Sequence, residues 1–306
     1  MTAIFPENSF RKEGGKPKCS HPSVLALLKE AKNGETAEQI VRRKCRTIVA
    51  SAKESGWEGP PFCPFELASL LGAKIKAVTH DIRAEARIFG KMGQVFIEYR
   101  KDIVLPERLR FSICHELAHT VFPDCYERVR HLNGAITTPD EKEFEHLCDI
   151  GAGEFLLPLE EFTKDLNAMP LTLEHVVFLK EAYLASIEAT IRRSLDLTQR
   201  PHAAVFFHHA IDGKDEASRD ELAVKYFCRS ASFRRFFIAP GSYPPKSSTV
   251  NMIPLSNGDN TQPTPIQLET WGENVKSTRL HVQAIALPKV PQKTDYPKVM
   301  ALVTPL

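Results

Sequence analysis

Apolar and polar positions change their spacing several times along this chain of 306 residues. In "TAEQIVRRKCRTIVASAKESG" (36–56), Ile40, Val41, Cys45, Ile48 and Val49 recur at helical intervals, which predicts a helix with one buried face. "GPPFCPFELASLLGAKIKAV" (59–78) predicts a proline-rich turn, a short helix stopped by Gly72, and then a strand. "ARIFGKMGQVFIEYR" (86–100) has the alternation of a hairpin, with Gly90 and Gly93 expected at its turn. Pro106 marks the start of the next helix, and Pro139 and Pro158 bracket another. "TLEHVVFLKEAYLASIEATIRRSLDL" (172–197) predicts two helical segments joined near 185–186.

From about residue 200 the texture becomes β-like. "AAVFFHH", "LAVKYFCR", "IQLETW", "RLHVQAIAL" and "KVMALVT" read as strands, while "APGSYPPKSSTV" and "SNGDNTQPTP" read as loops. The expected organisation is an N-terminal arm (1–35), a core (36–165), a helical connector (166–200) and a C-terminal domain (201–306). The class is α+β.

Composition narrows the setting. The chain is 42% hydrophobic and 25% charged, and no apolar run is long enough to span a bilayer. "MTAIFPENSFRKEGGKPKCSHPS" has no apolar core of the signal-peptide kind, so no secretory signal is expected. Seven scattered cysteines, an odd number without a C-x-x-C pair, argue against a disulfide framework and for the cytoplasm. The net charge of +2 neither demands nor excludes nucleic acid.

The candidate chemistry lies in "RFSICHELAHTVFPD" (110–124). On a helix, residues four apart are separated by about 40° around the axis, so His115 and His119 project from one face and both imidazoles can reach one ion. Glu116 lies beside that face, outside the ligand set, where it can hold a metal-bound water. A catalytic zinc needs a third protein ligand. The helix expected over 139–158 offers Glu145 and Asp149, again four apart and set among apolar residues. Buried carboxylates require partners. One of the two can ligate the metal while the other accepts a hydrogen bond from a ligand histidine and fixes its tautomer.

"ERLRFSICHELAHTVF" followed by "EFEHLCDIGAGEFLLP" resembles the ImmA/IrrE family of zinc metallopeptidases. The positions that carry the resemblance are Arg108, Arg110, Phe111, Ser112, His115, Glu116 and His119, then Glu145, Cys148 and Asp149, closing on Leu156, Leu157 and Pro158. The likeness covers about residues 36–165 and fades beyond 197. It implies a thermolysin-like, gluzincin-type core with a small sheet and an HExxH helix. It implies Zn2+ held by His115, His119 and Glu145, with Glu116 as general base and Asp149 as partner of a ligand histidine. Tyr99, Tyr126 and His131 are candidate oxyanion donors, and Arg108 and Arg110 are expected to pair with acids.

Several members of this family cleave a partner helix-turn-helix repressor after DNA damage, releasing stress, phage, mobile-element or anti-phage defence genes. Many join the peptidase to a C-terminal sensory domain that is GAF-like where known. The branch called CapP is linked to activation by single-stranded DNA.

Two further stretches bear on regulation. "PKCSHP" (17–22) resembles the prodomain segment of matrix metallopeptidases, which makes Cys19 a candidate inhibitory zinc ligand and His21 a weaker competitor. The other reading is a Pro/Lys/Cys cluster in a tail, with no such role. Residues 201–306 carry 12 Lys+Arg and 9 Asp+Glu. Within them Arg229, Arg234, Arg235 and Lys246 interleave with Tyr226, Phe227, Phe233, Phe236, Phe237 and Tyr243. Cations for phosphates and aromatic faces for bases suit single-stranded DNA; a buried aromatic core with a solvated basic edge has the same pattern. The function expected is a cytoplasmic zinc endopeptidase acting on a repressor. The alternative is a non-catalytic, zinc-containing regulator that binds DNA or a partner.

Overall fold

The computed structural model describes residues 20–79, 84–91, 93–103, 105–125, 138–209, 221–234, 238–254, 262–271, 278–288 and 297–306. Among these it has eight α-helices and two β-sheets, a mixed α+β architecture. Two compact units divide the chain. The first holds the described residues of Arg11–Asp165 with Lys180–Ser186, and the second those of Leu166–Leu179 and Ile187–Leu306.

The first unit runs α1 (Pro22–Leu28), α2 (Ala37–Glu54), α3 (Pro64–Leu70), β1 (Lys74–Val78), β2 (Ala86–Lys91), β3 (Gln94–Arg100), α4 (Pro106–Ala118), α5 (Pro139–Leu156) and α6 (Leu159–Leu166). α1 falls within the stretch read as an arm, and its Val24 and Leu27 are fully buried. Thr36 opens α2 with a capping box to Gln39, and Thr138 opens α5 with one to Glu141, each satisfying two otherwise orphaned backbone N–H groups. Gly72, at φ +71°, ends α3 in the left-handed conformation a side chain resists.

The three strands form one sheet in the order β1-β3-β2, with β1 parallel and β2 antiparallel to β3. Gly93 (φ +74°) lies in the β2–β3 turn. Gly90, expected there too, instead pairs with Val95 inside the ladder. α4 continues into a 3-10 turn (His119–Val121). Ile40, Val41 and Cys45 of α2, Ile113, Leu117 and Ala118 of α4, and Cys148, Ala152 and Phe155 of α5 are all buried, so these helices share one core. Gly151 shows how closely they meet. A Cβ added there would lie 2.7 Å from Ala118 Cβ and 3.2 Å from Cys45 Sγ.

The second unit is built on a five-stranded antiparallel sheet. Its strands are β4 (Ala203–His209), β5 (Leu222–Arg229), β6 (Gln267–Trp271), β7 (Thr278–Ala286) and β8 (Val299–Pro305), in the order β5-β4-β8-β7-β6. α7 (Leu173–Tyr183, to Leu179 in this unit) and α8 (Ile187–Leu197) pack Leu173, Val176, Ile191 and Leu195 against Phe206, Ile285, Met300 and Leu302. Alternate residues such as Val205, Phe207, Leu280 and Val282 join Val250 and Trp271 on the opposite face. Both faces are therefore covered. That is why β4 and β8 are almost continuously apolar, where a half-exposed antiparallel strand would alternate.

Candidate metal centre

Pro106 at the first turn, where its missing N–H costs nothing, starts α4 and sets the phase that turns His115 inward. His119, at the end of α4, begins the 3-10 turn and is fully buried. α5 brings Glu145 opposite. One donor atom from each of His115, His119 and Glu145 lies within 4.8 Å of the others, a group that could hold a metal ion.

The detailed geometry is asymmetric. His115 is bracketed by two carboxylates: Nδ1 lies 2.8 Å from Asp149 Oδ1 and Nε2 lies 2.9 Å from Glu145 Oε2. His119 Nε2 is 3.9 Å from Glu116 Oε2 and 4.0 Å from Glu145 Oε2, beyond hydrogen-bond range but within reach of a common ion. On its other side, Nδ1 of His119 lies 3.4 Å from Cys148 Sγ. Glu116 is only 4% exposed and Glu145 only 8%. The His115 and Asp149 side chains keep 17% and 32% of their exposure, so the cluster opens to solvent on their side.

Electrostatics tests the fit to a cation. Burial alone would lower the pKa of His115, but the hydrogen bonds to Asp149 and Glu145 outweigh it and hold it well above the ordinary value. The place between His115 Nε2 and Glu145 thus favours positive charge. Two imidazoles and a carboxylate are the donor set of a catalytic zinc with one position left for water, so the residues fit such a metal.

Rings back the histidines. Phe144 lies 5.2 Å from the His119 ring and 4.7 Å from Phe122, and His21 stacks on Phe144 at 4.4 Å. His21 caps α1, its Nδ1 accepting from Ser23 N–H, and it is not part of the metal-ligating group. Ser20, just before it, donates from both backbone and hydroxyl to Asp140, which holds that carboxyl below its usual range. Cys19, Tyr126 and His131 lie outside the described residues.

Tyr99 sits on β3 with its ring edge-on to Phe65. Arg108 pairs with Glu85, as expected. Arg110 does not follow suit: it donates to the backbone carbonyls of Phe62 (2.6 Å) and Leu184 (3.1 Å). The reason is local. α7 ends at Tyr183 and Leu184 follows it in the left-handed region (φ +48°), leaving a carbonyl there that a guanidinium can satisfy. Cys114, beside His115, is a core residue whose thiol burial pushes up to about 12.

In the C-terminal cluster, Arg234 and Lys246 are exposed, Arg229 is half-exposed, and Arg235, Phe236 and Phe237 lie outside the described residues. Tyr226 stacks on Phe206 at 4.6 Å and donates to Glu188, and Phe233 is 1% exposed. These two rings belong to the core and are not free for bases; Tyr243 is exposed. Sequence reasoning missed the Cys148–His119 contact. Its signal was the spacing, since 148 follows 145 by three and shares its helical face.

Residues 78–195 match the family model described as Peptidase_M78, IrrE N-terminal-like domain. A search of curated proteins gives no significant match. Among solved structures, a Mycobacterium tuberculosis transcriptional regulator is similar in fold, with a TM-score of 0.55, 14% identity, and coverage of 86% of this chain and 76% of that one. Among the described residues, no helix is long and apolar enough to cross a membrane.

Proposed function

We propose that the chain, whose residues 78–195 match the IrrE N-terminal-like domain model, is a member of the ImmA/IrrE family and a cytoplasmic, zinc-dependent endopeptidase acting on a partner helix-turn-helix transcriptional repressor. The observation that carries this reading is the convergence of His115, His119 and Glu145 with Glu116 buried beside them. A zinc ion held by the three would polarise the scissile carbonyl and lower the pKa of a water to about 7. Glu116 takes the proton from the attacking water and passes it to the leaving amine. Asp149 accepts from His115 Nδ1–H and keeps Nε2 free for the metal.

In this reading residues 36–165 form the catalytic core, of thermolysin-like type, and residues 201–306 a GAF-like regulatory domain. Cleavage of the repressor releases stress, mobile-element or anti-phage defence genes after DNA damage. The fold likeness to a protein described as a transcriptional regulator fits a role in transcription. Single-stranded DNA is the proposed activator, with Arg229, Arg234, Arg235 and Lys246 as phosphate contacts; the exposure of Arg234 and Lys246 suits that. Cys19 as a removable cap on the metal belongs to the same scheme.

The test pairs metal content with cleavage. Glu116→Gln should retain one zinc per chain and lose at least about a hundredfold in repressor cleavage. A wild-type chain that binds no zinc, or a Glu116→Gln chain that cleaves at the wild-type rate, would overturn the proposal. Zinc retained with no cleavage by the wild type, even with single-stranded DNA present, would favour the non-catalytic regulator.

A further inference from the structure

α5 presents Glu145, Cys148 and Asp149 to the two histidines, an i, i+3, i+4 set on one helical face. Glu145 and Asp149 are spent on His115. Cys148 reaches the other ring: its Sγ is 3.4 Å from His119 Nδ1, and both residues are fully buried. A histidine that ligates a metal through Nε2 keeps its proton on Nδ1 and donates it to an outer partner, which fixes the tautomer and the rotation of the ring.

We propose that Cys148 is that partner, a positioning residue whose sulfur accepts the Nδ1–H of His119 and holds Nε2 toward Glu116 and Glu145. The inference rests on the metal-centre reading above and deepens it. It also makes the two histidines unequal. His115 leans on a carboxylate at 2.8 Å, whereas His119 has a sulfur, a weaker acceptor, beside its Nδ1 and the Phe144 ring near its face. The thiol is enclosed, so its part here is to accept a hydrogen bond and not to react.

The test uses the full chain and zinc as the probe. Zinc affinity is measured by competition with a chromophoric chelator for the wild type, Cys148→Ala and Cys148→Ser. The His119 Nδ1–H resonance of the zinc-loaded protein is followed by nitrogen-edited NMR. Loss of an outer partner typically costs about 10- to 100-fold in metal affinity, and a weak acceptor belongs at the lower end. Cys148→Ala should therefore bind zinc about tenfold more weakly and lose the protected Nδ1–H signal. Cys148→Ser, which keeps an acceptor, should stay within about threefold of wild type and keep the signal. If Cys148→Ala binds zinc as tightly as wild type, or if serine fares no better than alanine, the contact is packing only and the proposal falls. A wild-type chain that takes up no zinc overturns the metal-centre reading, and this inference with it.

Discussion

Replacing Glu154 by alanine should destabilise the first unit by about 3 kcal/mol and weaken its hold on metal. Glu154 lies on α5 with no exposure, and α2 surrounds its carboxylate with two guanidinium groups. Arg42 Nη1 donates to Oε1 at 2.9 Å, while Arg46 donates from Nη2 to Oε1 at 3.0 Å and from Nε to Oε2 at 3.1 Å. Removing one partner of a buried pair costs about 3–5 kcal/mol, chiefly because the remaining charge is stranded. Here the side chains left behind keep 18% and 41% of their exposure and can turn to water, which places the cost at the lower end. The consequence for the site is geometric. Glu145 and Asp149 ride on the same helix, so an α5 released from α2 carries both away from His115.

The chain has two tryptophans, and only Trp57 reports on the first unit. In a Trp271→Phe background, urea unfolding followed by Trp57 fluorescence isolates it. With a slope near 2 kcal/mol per molar, the midpoint should fall by about 1.5 M. The loss should persist in 0.5 M NaCl, because salt screens a fully buried carboxylate poorly. A shift below about 0.3 M, or one abolished by salt, would refute the argument and make the cluster an ordinary surface ion pair.

Three other outcomes are expected. Gly151→Ala should cost about 1–3 kcal/mol by overpacking against Ala118 and Cys45, and should lower zinc affinity by spreading α4 from α5; unchanged urea stability would show that the helices can part freely. Burial, aided by Arg200, lowers the pKa of His202 to about 4, so between pH 6.5 and 4 the unfolded chain binds a proton that the folded chain does not. Stability of the second unit should therefore drop by about 3 kcal/mol as pH falls through that window, and His202→Gln, read by Trp271 fluorescence, should flatten the fall; an unchanged slope would refute it. Changing Arg234 and Lys246 together to Glu should weaken single-stranded DNA binding and reduce its salt slope by at least about 1.4, the share of two phosphates; binding with an unaltered slope would mean that neither contacts the strand.

Much of the fold was legible because helix period and punctuation agree in this chain. Pro106 and Pro139 stand at the first turn of the helices they were expected to open, and Gly72 follows the end of α3. α7 and α8 divide at 184–186, where the apolar pattern loses phase. The shared direction of His115 and His119 could be anticipated from their spacing of four, whereas that spacing left Glu145 and Asp149 open and only the family resemblance chose Glu145. What stayed hidden were contacts between elements distant in sequence. Nothing near Arg110 says that its partners are carbonyls of Phe62 and Leu184. Nor does the pattern around Tyr226 and Phe233 distinguish a stacking platform from a core, since aromatic residues serve both, and only burial decides.

α5 is the element on which these observations converge. Glu145 faces the two histidines, Cys148 and Asp149 each support one of them, Gly151 lets α4 approach, and Glu154 ties the helix to α2. These positions fall within less than three turns, Glu145, Cys148 and Asp149 on the face toward the histidines and Glu154 about 180° round from Glu145, toward α2. An error in the rotation of α5 would therefore disturb the donor, both supports and the brace together. A site placed on two packed helices holds its geometry better than one placed on loops, and the Glu154 contacts to Arg42 and Arg46 join the helix that carries Glu145 to α2.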